Sequence, residues 1–521
     1  MNELAFAIFV AYLASIAVIA YYGAKRTKTI ADFIAASGQL GFWTYCLLML
    51  GSVFSGMTLI GVAGLGFTTG WANLWERVIG PPFAIAFGTI LIGYKLFSIR
   101  KEKAILTMQD FLAYRFNDQK VLRAIAGLIS AITCFVYLIG QYTAIGVVSE
   151  VVLGIPYWIG ATIAAAIVIG YVLTGGMFST AWTTFLQSIL MLLGIFITVP
   201  LIVHWIGGFT ALNEGLAAVP MLQTQLGKSS SFLFAEYLTK PFAPYNVPLA
   251  GWVYNITLFG ITVPLGLMVA PHIVNNVLTF KEIKYTKWSP IVLYVVGVAG
   301  IMLTSIAGMA ARVAWAKGLV EIPSINLGGM VVKWSDMAYP TIAKVALPYS
   351  LFVFLLPTIL AGVMSTTDRL ILTAANNVSY DIVKNVLKPD LSDNAIKWIS
   401  RVVIIVIGFG SFLIALNPQP MLAWIIWSAL ALMANCFLWP ILGGLYWKRM
   451  NKQAARWSMI VGFIVTAITF ALFGKTIKLF GVPLYSAFPG FVASSVVAIS
   501  LSLALSKPAK EEQRILERIA K

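Results

Sequence analysis

Runs of about twenty apolar residues recur along this chain from end to end, each long enough as a helix to cross a hydrocarbon layer of roughly 30 Å. That recurrence leaves few folds open. In lipid every backbone N–H and C=O must be satisfied within the protein, so each run has to close its own bonds as a helix. The composition agrees: 60% of the 521 residues are hydrophobic and 11% are charged, against about 25% charged in a soluble domain. The expected architecture is an all-α polytopic membrane protein with about thirteen transmembrane helices. By apolar length they fall near 4–23, 41–69, 72–98, 122–150, 155–174, 181–205, 245–271 and 288–312. A ninth opens near Pro348, and 398–416, 420–446, 456–474 and 484–506 follow.

The formal net charge of +17 does not point to nucleic acid, because the basic residues form no single patch. They fall in alternate loops: AKRTK, RKEK, KEIKYTK, the DRLIL–NAIKW region, KRMNKQAAR and the tail. Those loops hold about 27 of the 36 Lys and Arg, which places them inside by the positive-inside rule. The chain then runs N-out/C-in across a plasma (cytoplasmic) membrane, as an odd number of spans requires. No basic residue precedes the first apolar stretch and AKRTK follows it, so it reads as a retained span rather than a cleaved leader. Cys46, Cys134 and Cys436 lie inside apolar segments, an odd set suited to packing rather than to a disulfide framework. The closing KEEQRILERIAK reads as an exposed helix.

Three spans are polar at mid-depth. The second carries GSVFSGM, Gly51 to Met57, where a helix can break. Carbonyls freed there are tolerated only around a cavity, an ion or other protein, and transporters built from inverted repeats place such breaks at the substrate. A plain close helix contact is the alternative. The seventh span, with Asn255, Thr257 and Gly260, is a further candidate. In the ninth, AGVMSTTDRLILTAANNVSYDIVKN, residues Gly362, Ser365 and Thr366 sit at i, i+3 and i+4 and share one face. A carbonyl exposed at Gly362 and two hydroxyls make half of a site for a monovalent cation. Hydroxyls that bond back to their own helix or meet a neighbouring one are the other reading.

The stretch GVMSTTDRLILTAANNVSYDIVK resembles the MST segment of the sodium:solute symporters. GGLYWKRMNKQAARWSMIVGF, preceded by LWP (Leu438 to Pro440), is similar to the matching stretch of the pantothenate/monocarboxylate-type branch. APHIVNN, Ala270 to Asn276, resembles a segment of the proline symporters, and GGMFSTAWTTFLQSILML resembles a further family segment. The resemblance implies a LeuT-type fold of 5+5 inverted repeats. Residues 1–40 form an extra N-terminal helix and cytoplasmic loop, 41–205 the first repeat and 206–244 an extracellular loop. The second repeat is 245–446, two additional helices occupy 447–506, and 507–521 is a cytoplasmic tail.

The resemblance also implies sodium (Na+) held by backbone oxygens of Gly51, Phe54 and Gly362 and the hydroxyls of Ser365 and Thr366. Two carboxylates of the family pattern are missing, replaced here by Thr184 and Val53. A neutral site implies modest affinity and one sodium per solute. Asn276 stands where the proline relatives carry an arginine.

Solute contacts are expected beside the break from Ser55, Thr58, Gln141, Asn255, Phe259 and Trp424, with Trp71 and Trp427 as further walls. Any one of these aromatics is equally an interface anchor. Gating falls to Trp75, Arg77, Asp368 and Arg369. Glu76 and Arg77 either steer an anion or pair at the surface, and Asp368 is either an inner-gate ion pair or a proton or sodium relay. His204 and His272 stand alone at span ends, outside any metal cluster, and no buried arginine stands ready for a carboxylate. The expected function is sodium-coupled symport, by alternating access, of a small organic solute, a carboxylate such as pantothenate or a monocarboxylate. Proton coupling, a proline, amino-acid or sugar solute, and a non-transporting sensor are the alternatives. No nucleophile–His–acid set points to an enzyme. The expected partners are solute, sodium and lipid, with no nucleic acid and a functional monomer.

Overall fold

A computed structural model describes residues 3–73, 80–150, 154–218, 253–327, 330–333, 335–417, 422–505, 515 and 517. Trp75, Glu76 and Arg77, most of the 206–244 loop and nearly all of the tail lie outside the described residues. Among the described residues nine unbroken helices are long and apolar enough to span and two bent pairs bring the candidate spans to eleven, against the thirteen expected; two shorter apolar helices, Tyr157–Leu173 and Phe488–Ala504, are numbered with them below.

In chain order, span 1 is Glu3–Arg26, span 2 the pair Phe42–Val53 and Met57–Thr69, span 3 Pro81–Glu102 and span 4 Val121–Gly146. Span 5 is Tyr157–Leu173, span 6 Gly175–Trp205, span 7 the pair Val253–Met268 and Pro271–Val277, and span 8 Tyr285–Ala316. Span 9 is Tyr349–Leu387, span 10 Asp393–Ala415, span 11 Trp424–Tyr446, span 12 Lys452–Phe473 and span 13 Phe488–Ala504. The two bent spans, the second and the seventh, stand five apart in order, as two successive five-helix repeats require.

Burial sorts these helices. Span 9 has 83% of its apolar window buried within the protein and span 1 only 22%, so the ninth forms the axis and the first is lipid-facing. It is packed most extensively by spans 5–6 and by span 4. Close approach is bought with glycine: a Cβ on Gly308 of span 8 would sit 1.8 Å from the Ala63 carbonyl oxygen of span 2, and one on Gly66 2.0 Å from that of Ser305. Spans 5 and 6 join without a loop at Gly176, whose φ of +56° turns the chain where a side chain would strike Phe33.

Several boundaries differ from expectation. Span 3 is described from Pro81; Trp71–Asn73 belong to a short turn with Gly70, and the rest of WANLWER lies outside the described residues. Span 7 does not end at Pro271 and His272. It bends by 48° at Val269–Ala270 and continues as Pro271–Val277, with proline at the first position of that inner half, where its missing N–H costs nothing. Asn255, Thr257 and Gly260 lie in a region of wider π-type turns rather than in a break. Span 9 is helical without interruption through Gly362, so its contribution at mid-depth is polar side chains and no broken backbone. Outside, the loop before it folds as a hairpin, Ser324–Leu327 with Met330–Lys333, followed by the helix Ala338–Ala346.

Candidate functional site

The break in span 2 leaves a specific acceptor free. Its inner half ends at Val53, and the two halves are bent by 56°. Phe54 N–H still reaches the Leu50 carbonyl at 2.8 Å, but Ser55 N–H turns to the Val53 carbonyl, also at 2.8 Å. In an unbroken helix Ser55 would have bonded Gly51, so the Gly51 carbonyl is released. It does not go unmet. Ser365 Oγ donates to it at 2.8 Å and Thr366 Oγ1 at 3.2 Å. The same hydroxyls lie 3.0 and 3.5 Å from the Gly362 carbonyl, and the Phe54 carbonyl oxygen is 3.1 Å from where a Gly362 Cβ would be.

Four neutral oxygens, the Gly51 and Gly362 carbonyls and the Ser365 and Thr366 hydroxyls, therefore meet between spans 2 and 9, with the Phe54 carbonyl beside Gly362. Ser365 and Thr366 do both things weighed for them, bonding back to their own helix and reaching across to span 2. Gly362 keeps this approach open, because a methyl there would press on Leu59 Cδ1 at 2.3 Å and on Met191 Sδ at 3.0 Å.

Above this cluster the break is closed by side chains expected to touch solute. Gln141 Oε1 of span 4 accepts from Gly56 N–H at 3.1 Å, Ser55 Oγ accepts from Met57 N–H at 3.2 Å, and Thr58 Oγ1 donates to the Val53 carbonyl. Their first task is to satisfy the unwound backbone. Gln141 has a second half to give: its Nε2, buried, has no partner among the described residues.

Phe259 of span 7 meets Trp427 of span 11 edge-on at 4.7 Å, and Trp424 meets Trp427 at 5.0 Å. Trp427 Nε1 is likewise buried and unpartnered. Asn255 is half-buried beside Tyr254, which packs on Trp424. Trp71 stands apart, bonded through Nε1 to Asn213 at 2.8 Å.

Asp368 and Arg369 do not face a cytoplasmic exit. Both are buried in a seam between spans 1, 5, 6 and 9. Asp368 accepts from Tyr171 of span 5 at 3.1 Å and lies 4.0 Å from Arg369. Arg369 Nη2 donates to Thr184 and to the Ser365 carbonyl. A fixed cation thus stands one turn from the oxygen cluster, bonded to Thr184.

The inner end is held elsewhere. Asn276 Nδ2 bonds Ser52 Oγ at 2.9 Å, tying the inner halves of the two bent spans together. Arg123 of span 4 bridges Asp110 at 2.8 Å and Asp381 at the end of span 9 at 3.3 Å.

Two residues carry more than their sequence context suggested. His272 is not at a span end but fully buried in the inner half of span 7, edge-on to Tyr137 at 5.7 Å. Arg312 near the outer end of span 8 contradicts the expectation that no buried arginine is available. It is 1% exposed, lies 5.4 Å over Phe67 and 5.1 Å over Trp315, and its Nε and Nη1 have no partner among the described residues. An arginine inside an apolar run was the available signal.

Comparison with known proteins agrees along the whole chain. The osmoregulated proline transporter OpuE of Bacillus subtilis is 26% identical over 98% of this chain and 97% of its own. The sodium/proline symporter of Escherichia coli is 25% identical over 97% and 94%. The solved structure of a Na+-coupled sialic acid symporter superposes with a TM-score of 0.74 at 19% identity, over 98% and 99%. That likeness fixes the fold as LeuT-like. The sodium:solute symporter family matches residues 33–462. A multi-pass membrane transporter that couples sodium to a solute, and not an enzyme, the chain belongs to the sodium:solute symporter family.

Proposed function

We propose that the chain symports one sodium with one small carboxylate-bearing solute, and that the ion lies between Gly51, Phe54, Gly362, Ser365 and Thr366. The observation that carries this is the convergence of both hydroxyls on the released Gly51 carbonyl. An oxygen freed by a mid-membrane break needs a partner, and hydroxyls can turn their lone pairs to a cation in place of water. Sodium there holds span 2 to span 9 and favours the solute-competent state by its differential affinity. The inside-negative potential adds about 2.3 kcal/mol per charge per 100 mV.

A carboxylate is supported by the unpartnered donors. Gln141 Nε2, Trp427 Nε1 and Arg312 Nε and Nη1 are buried N–H groups without acceptors among the described residues, and such groups cost about 1–3 kcal/mol each until met. An acceptor-rich solute meets them. Proline, the solute of the OpuE and Escherichia coli relatives, satisfies this as well as pantothenate or a monocarboxylate does, and that kinship favours proline. The repeats are assigned to 41–205 and 245–446, with Asp368 and Arg369 as a buried support of the ion site.

The test is uptake into proteoliposomes of labelled proline, pantothenate, lactate and a hexose, with sodium or potassium outside at fixed pH, then with an acid-outside step. Sodium-dependent accumulation of one acid is expected. Accumulation driven by the acid step alone, or of the hexose alone, contradicts the reading.

A further inference from the structure

At the inner end of span 1 the surface is concave, basic and aromatic at once. Gly23 of span 1 lies against Ser179 so closely that a Cβ would stand 2.6 Å from its Cα, and Thr27 Oγ1 donates to the Gly175 carbonyl at 2.9 Å. This contact sets the end of span 1 into the corner where spans 5 and 6 meet. A groove of about 530 Å³ opens beside it, lined by Tyr22, Lys25, Arg26, Lys28, Asp32, Gln39, Phe178 and Trp182.

The charge in the groove is uncommitted. None of Lys25, Arg26 and Lys28 meets a carboxylate among the described residues. The Arg26 guanidinium lies 5.5 Å over Phe178 and the Lys25 ammonium 4.5 Å over Tyr21. The acid in its lining, Asp32, is turned to its own loop, accepting from Lys28 N–H, Thr29 N–H and Ser37 Oγ. Some cations at the inner face are paired, Arg123 with Asp110 and Asp381, Arg456 with Asp118, Lys384 with Asp393 and Lys284 with Glu282; others, such as Lys287, Lys448 and Lys452, meet no carboxylate among the described residues but do not line this groove. Positive loops by themselves follow from topology. Three cations in a concavity whose lining also holds Tyr22 and Trp182 do not.

We propose that this groove binds the headgroup of an anionic phospholipid of the inner leaflet. Its phosphodiester would lie among Lys25, Arg26 and Lys28, and its glycerol and upper acyl carbons against Tyr22 and Trp182. Basic pockets between helices on the cytoplasmic side have the charge and the depth for this chemistry, and the aromatic walls match the interface. A free phosphate offers the same anion without the apolar part, and Trp182 and Tyr22 then contribute nothing.

The test is native mass spectrometry of the full chain, titrated with dioleoylphosphatidylglycerol, dioleoylphosphatidylcholine and glycerol 3-phosphate. Wild type is expected to retain phosphatidylglycerol over phosphatidylcholine. Lys25→Gln/Arg26→Gln/Lys28→Gln is expected to weaken that binding on the order of a hundredfold, since each near-surface cation contributes roughly fivefold. The triple Lys287→Gln/Lys448→Gln/Lys452→Gln, equal in charge but elsewhere on the inner face, is expected to change it less than about threefold. Tyr22→Ala/Trp182→Ala keeps every charge that orients the chain and is expected to cost about tenfold. The proposal is overturned by equal loss in both charge variants, by no loss in the aromatic variant, by glycerol 3-phosphate displacing the lipid at equal concentration, or by no lipid retained on wild type.

Discussion

Replacing Ser365 by alanine removes one of the five oxygens of the proposed ion site and leaves the rest in place. The Ser365 hydroxyl lies 2.8 Å from the Gly51 carbonyl and 3.0 Å from that of Gly362. Without it Gly51 keeps Thr366 at 3.2 Å, so the break retains a donor and the fold loses only about 1 kcal/mol. The ion loses more. A polar contact to a charged group is worth about 1.5–3 kcal/mol, which corresponds to a roughly 10- to 150-fold rise in the sodium concentration that gives half-maximal uptake. Linkage requires that the factor by which sodium raises solute affinity equal the factor by which solute raises sodium affinity, in wild type and variant alike. Thr367→Ala is the control. Its hydroxyl bonds the Val363 carbonyl of its own helix at 2.7 Å, so sodium dependence there is expected to stay within about twofold. Half-saturation by sodium is measured in proteoliposomes for Ser365→Ala, Thr366→Ala and Thr367→Ala. Equal sodium dependence in all three refutes the assignment of these hydroxyls.

Gln141→Leu deprives the Gly56 N–H of its acceptor inside the bundle and removes a free donor. It is expected to lower thermal stability by about 1–3 kcal/mol and to raise the solute half-saturation more than that of sodium. A stable variant with unchanged solute affinity contradicts both roles. Gly308→Ala places a methyl 1.8 Å from the Ala63 carbonyl oxygen, and overpacking of this kind costs about 1–3 kcal/mol. The unfolding temperature in detergent is expected to drop, and a wild-type value would mean that spans 2 and 8 are not packed so closely.

The apolar runs carried most of the architecture, because length and the cost of unsatisfied backbone in lipid leave a helix as the only solution. GSVFSGM was readable as a break for the same reason. Pro271 was misread because proline both ends one helix and starts the next, and the apolar run up to it concealed a second short helix behind. The shared face of Gly362, Ser365 and Thr366 follows from helical spacing, but its partner does not. Which neighbour a buried face meets is decided by packing, and so Asp368 and Arg369, assigned to an exit, instead meet Tyr171 and Thr184. Arg312 was passed over because its neighbours Phe67 and Trp315 come from two helices, and only the fold brings both to its guanidinium.

The most direct test of sodium-coupled symport through the Gly51–Ser365–Thr366 cluster is a paired flux. Labelled sodium and the labelled solute are followed in the same proteoliposomes at a clamped potential, in wild type and in Ser365→Ala/Thr366→Ala. The account predicts one sodium entering with each solute molecule in wild type, and both fluxes falling together in the variant. Solute entry that continues in the variant at the wild-type sodium ratio, or in wild type without sodium, would contradict it.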